Sequence, residues 1–449
     1  MTLADLPRRI AAAVPMRLGT VRPEAPPSKR PATADGLIGA GFTAMRHRNY
    51  RLFWFGQVTS LVGTWMQSVS QPWLVLELGG SPIELGAVLA AQFAPSTILA
   101  PIGGVLADRL DKRRTLLVVQ IIAMLQAGIL FALAASGVVE IWHVFVLAAI
   151  LGTASAIEMP VRQAFSAELV PDEDLVNAIA LNSTSFNLSR VVGPAIAGLT
   201  IAAFGTALNF GLNALSYLAV LAGLVLIDPT RLHRPPMPDR LPSVRASLVE
   251  GLRYARRVPT VFWPLVLLGG VATVAMNFQT LLPLYARDAL GLGPEGYGAL
   301  FAAMGVGSVA GSMYLAFSAR RRPMLRFIVG GGAVFLGLEL VLALTTSAPA
   351  AFVLIGGIGL ASILMVNTIN IMIQNSVGHE LRGRVMSLYV TVFAGTAPIG
   401  GLLAGSVAEA WGPAVGFGLG AILGAIVLAI AALRLGRAQR PRARTLQAA

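Results

Sequence analysis

The chain has 449 residues, 55% of them hydrophobic and only 12% charged, with a net charge of +13, four histidines and no cysteine. Soluble domains carry about 25% charged residues, so this chain cannot clothe a soluble surface and most of its exterior must face lipid. The missing cysteines exclude disulfides and thiol chemistry. His47, His143, His233 and His379 are too scattered for a metal site, and the bases form no aromatic-laced stripe for nucleic acid.

Residues 1–45 are rich in Pro, Arg and Ala, and their one apolar run, "IAAAV", is too short for a signal-peptide core. A disordered basic tail is expected there. Twelve apolar segments follow, each near the ~20 residues that span a bilayer. They are predicted at 51–77, 85–107, 115–136, 142–165, 178–204 and 208–227, then at 260–285, 295–317, 326–346, 350–375, 385–407 and 413–434.

The first segment carries Gln57, Ser60, Thr64, Gln67 and Gln71 at steps of three or four, one helical face. Polar groups in a membrane face either a cavity or another helix. Between the second and third segments lies "GGVLADRLDKRR", residues 103–114, which sets Asp108 and Asp111 among Arg109, Lys112, Arg113 and Arg114. A phosphate cradle is excluded, since no Gly-x-Gly-x-x-Gly or Walker pattern is present. A solvated turn accounts for Arg113 and Arg114 but not for Asp108 at the helix end, preceded by Gly104.

The fourth segment holds Glu158 and Arg162, and the fifth holds Arg190 and the pair Gly193-Pro194. Charges so placed are costly unless paired or neutralised. Glu158 is therefore the candidate for a coupling proton, with Arg190 as the cation expected to tune it and Arg162 as another possible partner. Proline removes a backbone hydrogen bond, so Gly193-Pro194 and Pro398 in the eleventh segment are candidate hinges, or sites of close packing.

At 228–259 a Pro-rich polar stretch precedes "SVRASLVEGLRYARR", whose apolar residues recur at helical spacing among four arginines. An amphipathic helix on the inner leaflet suits it. Beyond it, Asn277 in the seventh segment and Asn367, Asn370 and Gln374 in the tenth extend the polar set. Glu339 in the ninth is expected at the periphery. A basic tail is expected from residue 435.

Placing both termini in the cytoplasm puts 32 of the 34 Lys and Arg on that side, with Arg190 and Arg287 as exceptions. The halves also answer each other. "DKRR" (111–114) matches "ARRR" (319–322), "VPDEDLVNA" matches "VGHELRGRV", and "RVVGPAIAG" matches "AGTAPIGGL", at offsets of 204–208. That pattern predicts a parallel duplication of six-helix units, residues 46–227 and 260–434 joined by 228–259.

Gly104, Leu106, Ala107, Asp108, Arg109, Lys112 and Arg113 resemble the loop 2–3 signature of the major facilitator superfamily, with Asp111 where that signature usually has glycine. "RHRNYRLFWFGQVTSLVGTWMQ" and "MPVRQAFSAELVPDEDLVNAIALNS" are similar to its enterobactin-exporter-like, transmembrane secretion effector branch. "VVGPAIAG" partly resembles the helix 5 antiporter signature. The resemblance implies an all-α membrane protein of twelve helices in two six-helix bundles, with helices 1, 4, 7 and 10 lining a central cavity. It also implies that Asp108 holds the start of helix 11 in the outward-open state.

The expected function is a proton-coupled antiporter exporting small amphiphilic molecules from a bacterial inner membrane, as a monomer without a cofactor. A solute importer and a non-transporting membrane sensor are the alternatives. Gly104, Asp108, Arg109, Lys112, Arg113, Arg162, Gly193, Pro194 and Pro398 form the expected gating set. Gln57, Thr64, Gln67, Gln71, Asn277, Asn367, Asn370 and Gln374 form the expected cavity set.

Overall fold

The computed structural model of the chain describes residues 42–233, 244–318 and 324–446. The expectations for the tail before residue 42, for the Pro-rich start of the linker and for the bases at 320–322 lie outside the described residues. So do the side chains of 100–109, which include Gly104, Asp108 and Arg109, and that of His379.

Helices account for nearly everything described, and no strand occurs among the described residues. The first half contains α1 (Arg48–Glu77), α2 (Pro82–Arg109), α3 (Lys112–Ala135), α4 (Ile141–Glu168), α5 (Leu175–Phe204) and α6 (Thr206–Leu226). A linker helix, Val244–Arg257, leads to the second half. There α7 runs over Pro259–Ala289, followed by α8 (Pro294–Ser318), α9 (Met324–Ala343), α10 (Ala348–Asn375), α11 (His379–Trp411) and α12 (Pro413–Leu446). The twelve predicted segments each meet one of these.

Eleven of the twelve are apolar enough to be read as membrane spans on hydropathy and length; α1 is not among them. Its length of 30 residues is ample, but its amides and hydroxyls dilute the apolar stretch. Two boundaries move. The 3-10 turn Thr43–Arg46 already packs against α5, with Ala44 buried and its N–H donating to Asn177 Oδ1 at 3.0 Å. The basic C-terminal stretch continues α12 to Leu446 rather than leaving it near 434.

Local sequence explains the punctuation. Asp111 caps α3 by accepting the Arg114 N–H at 2.9 Å, which satisfies one of the orphan donors of a helix start. That is a use for an acid where the resembling signature has glycine. Gly205 and Gly412 sit at φ 80° and 86° between successive helices, a conformation other residues adopt only with strain. In α7 the regular helix stops at Val274 and restarts at Phe278. Across the gap the Asn277 side chain donates to the Thr273 carbonyl at 2.8 Å, replacing the backbone donor the break removes. A π turn, Tyr285–Ala289, ends the helix.

Chain direction places the linker at one end of both halves. Lys112 Nζ meets Glu168 Oε1 at 2.7 Å, and Arg113 donates to the Leu224 and Val225 carbonyls at 2.7 and 2.8 Å. All of these lie at that linker end. The seam between the halves is closed at the opposite, far end. There α2 crosses α11 and α5 crosses α8. Gly86 faces the Gly401 carbonyl, and a β-carbon on Gly298 would stand 2.5 Å from the Pro194 carbonyl oxygen and 2.7 Å from Gly198. Only glycine permits these backbone approaches. Trp73 of α1 stacks on Tyr297 of α8 at 5.7 Å, and the Ile83 N–H donates to Glu409 at 3.1 Å.

Candidate functional site

The polar stripe of α1 divides into two fates. Gln67 and Gln71 are each 2% exposed and spend their amides inside the first half. Gln67 donates to Gln126 Oε1 at 3.1 Å and accepts from Asn213 at 2.6 Å, while Gln71 donates to Gln92 Oε1 at 3.1 Å. These two do not line a cavity, contrary to expectation. A buried amide without a partner is costly, and α3, α6 and α2 supply partners that sequence spacing along α1 could not reveal. Thr64 does turn outward, with its hydroxyl bonded to the Ser60 carbonyl at 2.9 Å. Gln57 is buried, and its Nε2 has no hydrogen-bond partner.

Glu158 and Arg162 of α4 form an ion pair, Nε to Oε1 at 2.8 Å, four residues apart on the half of α4 nearer the linker. Side-chain exposures of 18% and 23% leave both within reach of water. Arg190 does not join them. Its guanidinium lies over the Trp65 ring, 5.9 Å from the centroid, and its Nε is buried without a hydrogen-bond partner. A cation over indole is held by the ring quadrupole, a weaker hold than a carboxylate gives. Of the two cations expected near Glu158, Arg162 is the one that pairs with it and Arg190 is not, because residues four apart on one helix already face each other.

In the second half, Asn367 and Asn370 of α10 line a pocket of about 290 Å³ with Ser312, Leu315 and Ala316 of α8, towards the linker end. Gln374 donates to Asn370 Oδ1 at 2.5 Å. Asn277 lies at the break in α7, buried, with Gly400 of α11 against its Oδ1. It thus serves the helix break and the contact of α7 with α11.

The gating candidates also separate. Lys112 and Arg113 bind partners within their own half, Arg113 capping the end of α6 by donating to its last carbonyls. Gly193 packs on Trp65 and Val62 of α1, and Pro194 offers its carbonyl to the close approach of Gly298. Both prolines, Pro194 and Pro398, lie inside continuous helices. Arg384 at the linker end of α11 pairs with Glu250 of the linker helix, a contact between residues too far apart in the chain for local periodicity to signal. Glu339 departs furthest from expectation. It is fully buried, and neither carboxyl oxygen has a hydrogen-bond partner.

A family profile described as transmembrane secretion effector matches residues 39–447. The chain is 28% identical over 378 residues to the multidrug efflux pump Tap of Mycolicibacterium fortuitum, covering 80% of this chain and 89% of that one. It is 28% identical over 396 residues to the enterobactin exporter EntS of Escherichia coli O139:H28, covering 86% and 92%. With the staphyloferrin A transporter of Staphylococcus aureus the identity is 25% over 365 residues, covering 81% and 90%. Among solved structures, the POT family transporter PepTSo superposes with a TM-score of 0.71 at 13% identity, covering 88% of this chain and 99% of that one. A bacterial homologue of the iron transporter ferroportin, in its inward-facing state, gives 0.64 at 16% identity, covering 86% and 98%.

Proposed function

This chain belongs to the transmembrane secretion effector family of the major facilitator superfamily, and from that premise we propose that it exports small amphiphilic molecules across the bacterial inner membrane by proton antiport. As a multi-pass membrane transporter it needs no enzymatic step. It works by exchanging which end of the seam between its halves is closed.

The observation that carries this reading is the closed far end together with ionisable and amide groups towards the linker end. The clustering of bases at the linker end supports a cytoplasmic linker and cytoplasmic termini. On that orientation the arrangement is the inward-open one, in which an exporter loads. Arg190 over Trp65 offers a cation and an aromatic face without a competing carboxylate. Thr64, Asn367, Asn370 and Gln374 add hydrogen-bonding groups. Such a lining suits an amphiphile with a ring and a weakly acidic or accepting group.

Glu158 is the proton carrier in this scheme. Ionised, it pairs with Arg162; protonated, it releases that arginine, so one proton changes the charge and hydrogen bonding of the inner half of α4. Gly104, Asp108 and Arg109 are proposed to close the linker end against α11, braced by Lys112 and Arg113. Gly193-Pro194 and Pro398 are the proposed points about which α5 and α11 bend.

The test uses inverted vesicles with an acidified lumen and a trapped pH dye, to which amphiphilic compounds are added. Export into the lumen expels protons, so a compound-dependent rise in internal pH is expected with the wild type and not with Glu158→Gln. A response surviving that substitution would remove Glu158 from the proton path. Labelled compound accumulating in right-side-out vesicles would instead mark an importer.

A further inference from the structure

Glu339 lies in the ninth span, on a helix that supplies no residue to the proposed pathway. It is 0% exposed, and both carboxyl oxygens lack a hydrogen-bond partner. Its neighbours along α9 identify what it faces. Phe335, one turn before it, meets Phe278 of α7 with ring centroids 6.4 Å apart. Leu336 reaches Gly424 of α12, which also adjoins Ala275 at the break in α7. Leu342, one turn after it, accepts the Tyr285 hydroxyl at 2.7 Å. Residues at these spacings share a face, so Glu339 sits on the surface of α9 that packs against α10 and α12, with the broken α7 behind it reaching α9 through the side chains of Phe278 and Tyr285.

Among the described residues no cation is available to it there. The α10 segment, Ala348–Asn375, contains no ionisable residue, and α12 contains none before Arg434 at the linker end. In α7 the only titratable groups are Tyr285, Arg287 and Asp288 at the far end. The Tyr285 hydroxyl is directed to the Leu342 and Thr345 carbonyls, and Arg287 pairs with Asp288 at 2.6 Å. On α9 itself Arg326 stands at the opposite, linker end. An ionised carboxylate with neither counter-charge nor donor in a dry interior costs far more than neutralising it.

We propose that Glu339 is a second proton site, occupied in the far-end-closed arrangement and emptied only when α7 moves away from α9. The link to the seam is physical. The distal segment of α7, Phe278–Leu284, touches α1 and α2 of the other half, so the piece that shields Glu339 also helps to close the far end. A charge on Glu339 would demand water or donors, which the present packing of Phe278, Phe335 and Leu336 excludes. Deprotonation therefore favours the arrangement in which α7 has shifted and the far end is open. This site rests on the proposed antiport as a gate rather than as part of its proton path, since it fills and empties on the far side alone, and its test needs neither a transported compound nor a gradient.

Infrared difference spectroscopy of the purified protein without added compound reads the proton directly. The wild type is expected to show a carboxylic-acid carbonyl band at neutral pH that Glu339→Gln deletes and Glu158→Gln retains. Spectra unchanged by Glu339→Gln would overturn the proposal. The chain has no cysteine, so spin labels at Val138→Cys and Leu344→Cys, both exposed at the far end, report its opening. A single linked proton shifts a two-state ratio by up to about tenfold per pH unit. The wild type is expected to open towards alkaline pH, and the Glu339→Gln protein to stay closed. A pH response preserved in Glu339→Gln would refute the link to α7 even if the band were lost. Glu339→Met, similar in volume and without a polar group, must give the same two results. Failure of the vesicle assay alone would leave these outcomes intact.

Discussion

In the first half the helices are joined through amides and hydroxyls. Gln67, Gln126 and Asn213 connect α1, α3 and α6, and Asn209 links Ser70 of α1 to α5 and α6. In the second half the interior contains rings. Phe278, Phe335, Phe417 and Tyr285 meet at centroid distances of 5.5–6.4 Å across α7, α9 and α12. The two intramembrane glutamates follow the same division. Glu158 has a guanidinium at 2.8 Å and access to water, whereas Glu339 has neither. One fold can therefore be held by directional bonds in one half and by shape in the other. An acid takes its chemistry from the half that surrounds it.

That contrast can be broken by substitution. The largest expected effect is Phe417→Ala, which leaves a void against the rings of Phe278 and Tyr285. Large-to-small changes of this kind cost about 3–5 kcal/mol in soluble cores. Here about 3 kcal/mol is expected, since lipid already supplies an apolar exterior and mainly the lost contacts remain. Thermal unfolding in detergent, read by tryptophan fluorescence, should show this as the lowest melting temperature of the set.

Asn213→Leu tests the other half. It removes the donor to Gln67 and is expected to cost about 1–2 kcal/mol, the range for interhelical hydrogen bonds in membranes. An additional Gln67→Leu substitution should cost less than its separate effect, because the two share one bond. Full additivity would mean that the amides do not act as a network. The smallest effect expected is that of Arg113→Ala. It uncaps α6 at a partly exposed helix end, worth about 0.3–1 kcal/mol, and should be visible mainly as faster hydrogen exchange at Leu224 and Val225.

Much of this was legible in the chain. The spans followed from apolar length, the orientation expectation from the distribution of bases, and the amphipathic linker helix from its periodicity. The motif at 103–114 carried the family resemblance. What misled was the face of α1. Gln57, Thr64, Gln67 and Gln71 share a stripe, and a stripe at helical spacing does not say whether it faces a cavity or another helix. Charge and depth leave both Arg190 and Arg162 open as partners of Glu158, and only the structure decides for Arg162. The position of Glu339 in the ninth span says nothing of its rotation, so its full burial is not legible in the chain.

The sequence by itself determined that the chain is a helical, multi-pass membrane protein, because the cost of exposing polar backbone to lipid acts on each segment separately. Which polar groups meet depends on how helices far apart in the chain are rotated and set against one another. Only the tertiary structure could turn Gln67 and Gln71 inward, lay Arg190 on Trp65, close the seam through Gly86 and Gly298, and leave Glu339 without a partner. Those outcomes rest on contacts between residues separated by tens to hundreds of positions, and no local periodicity encodes them.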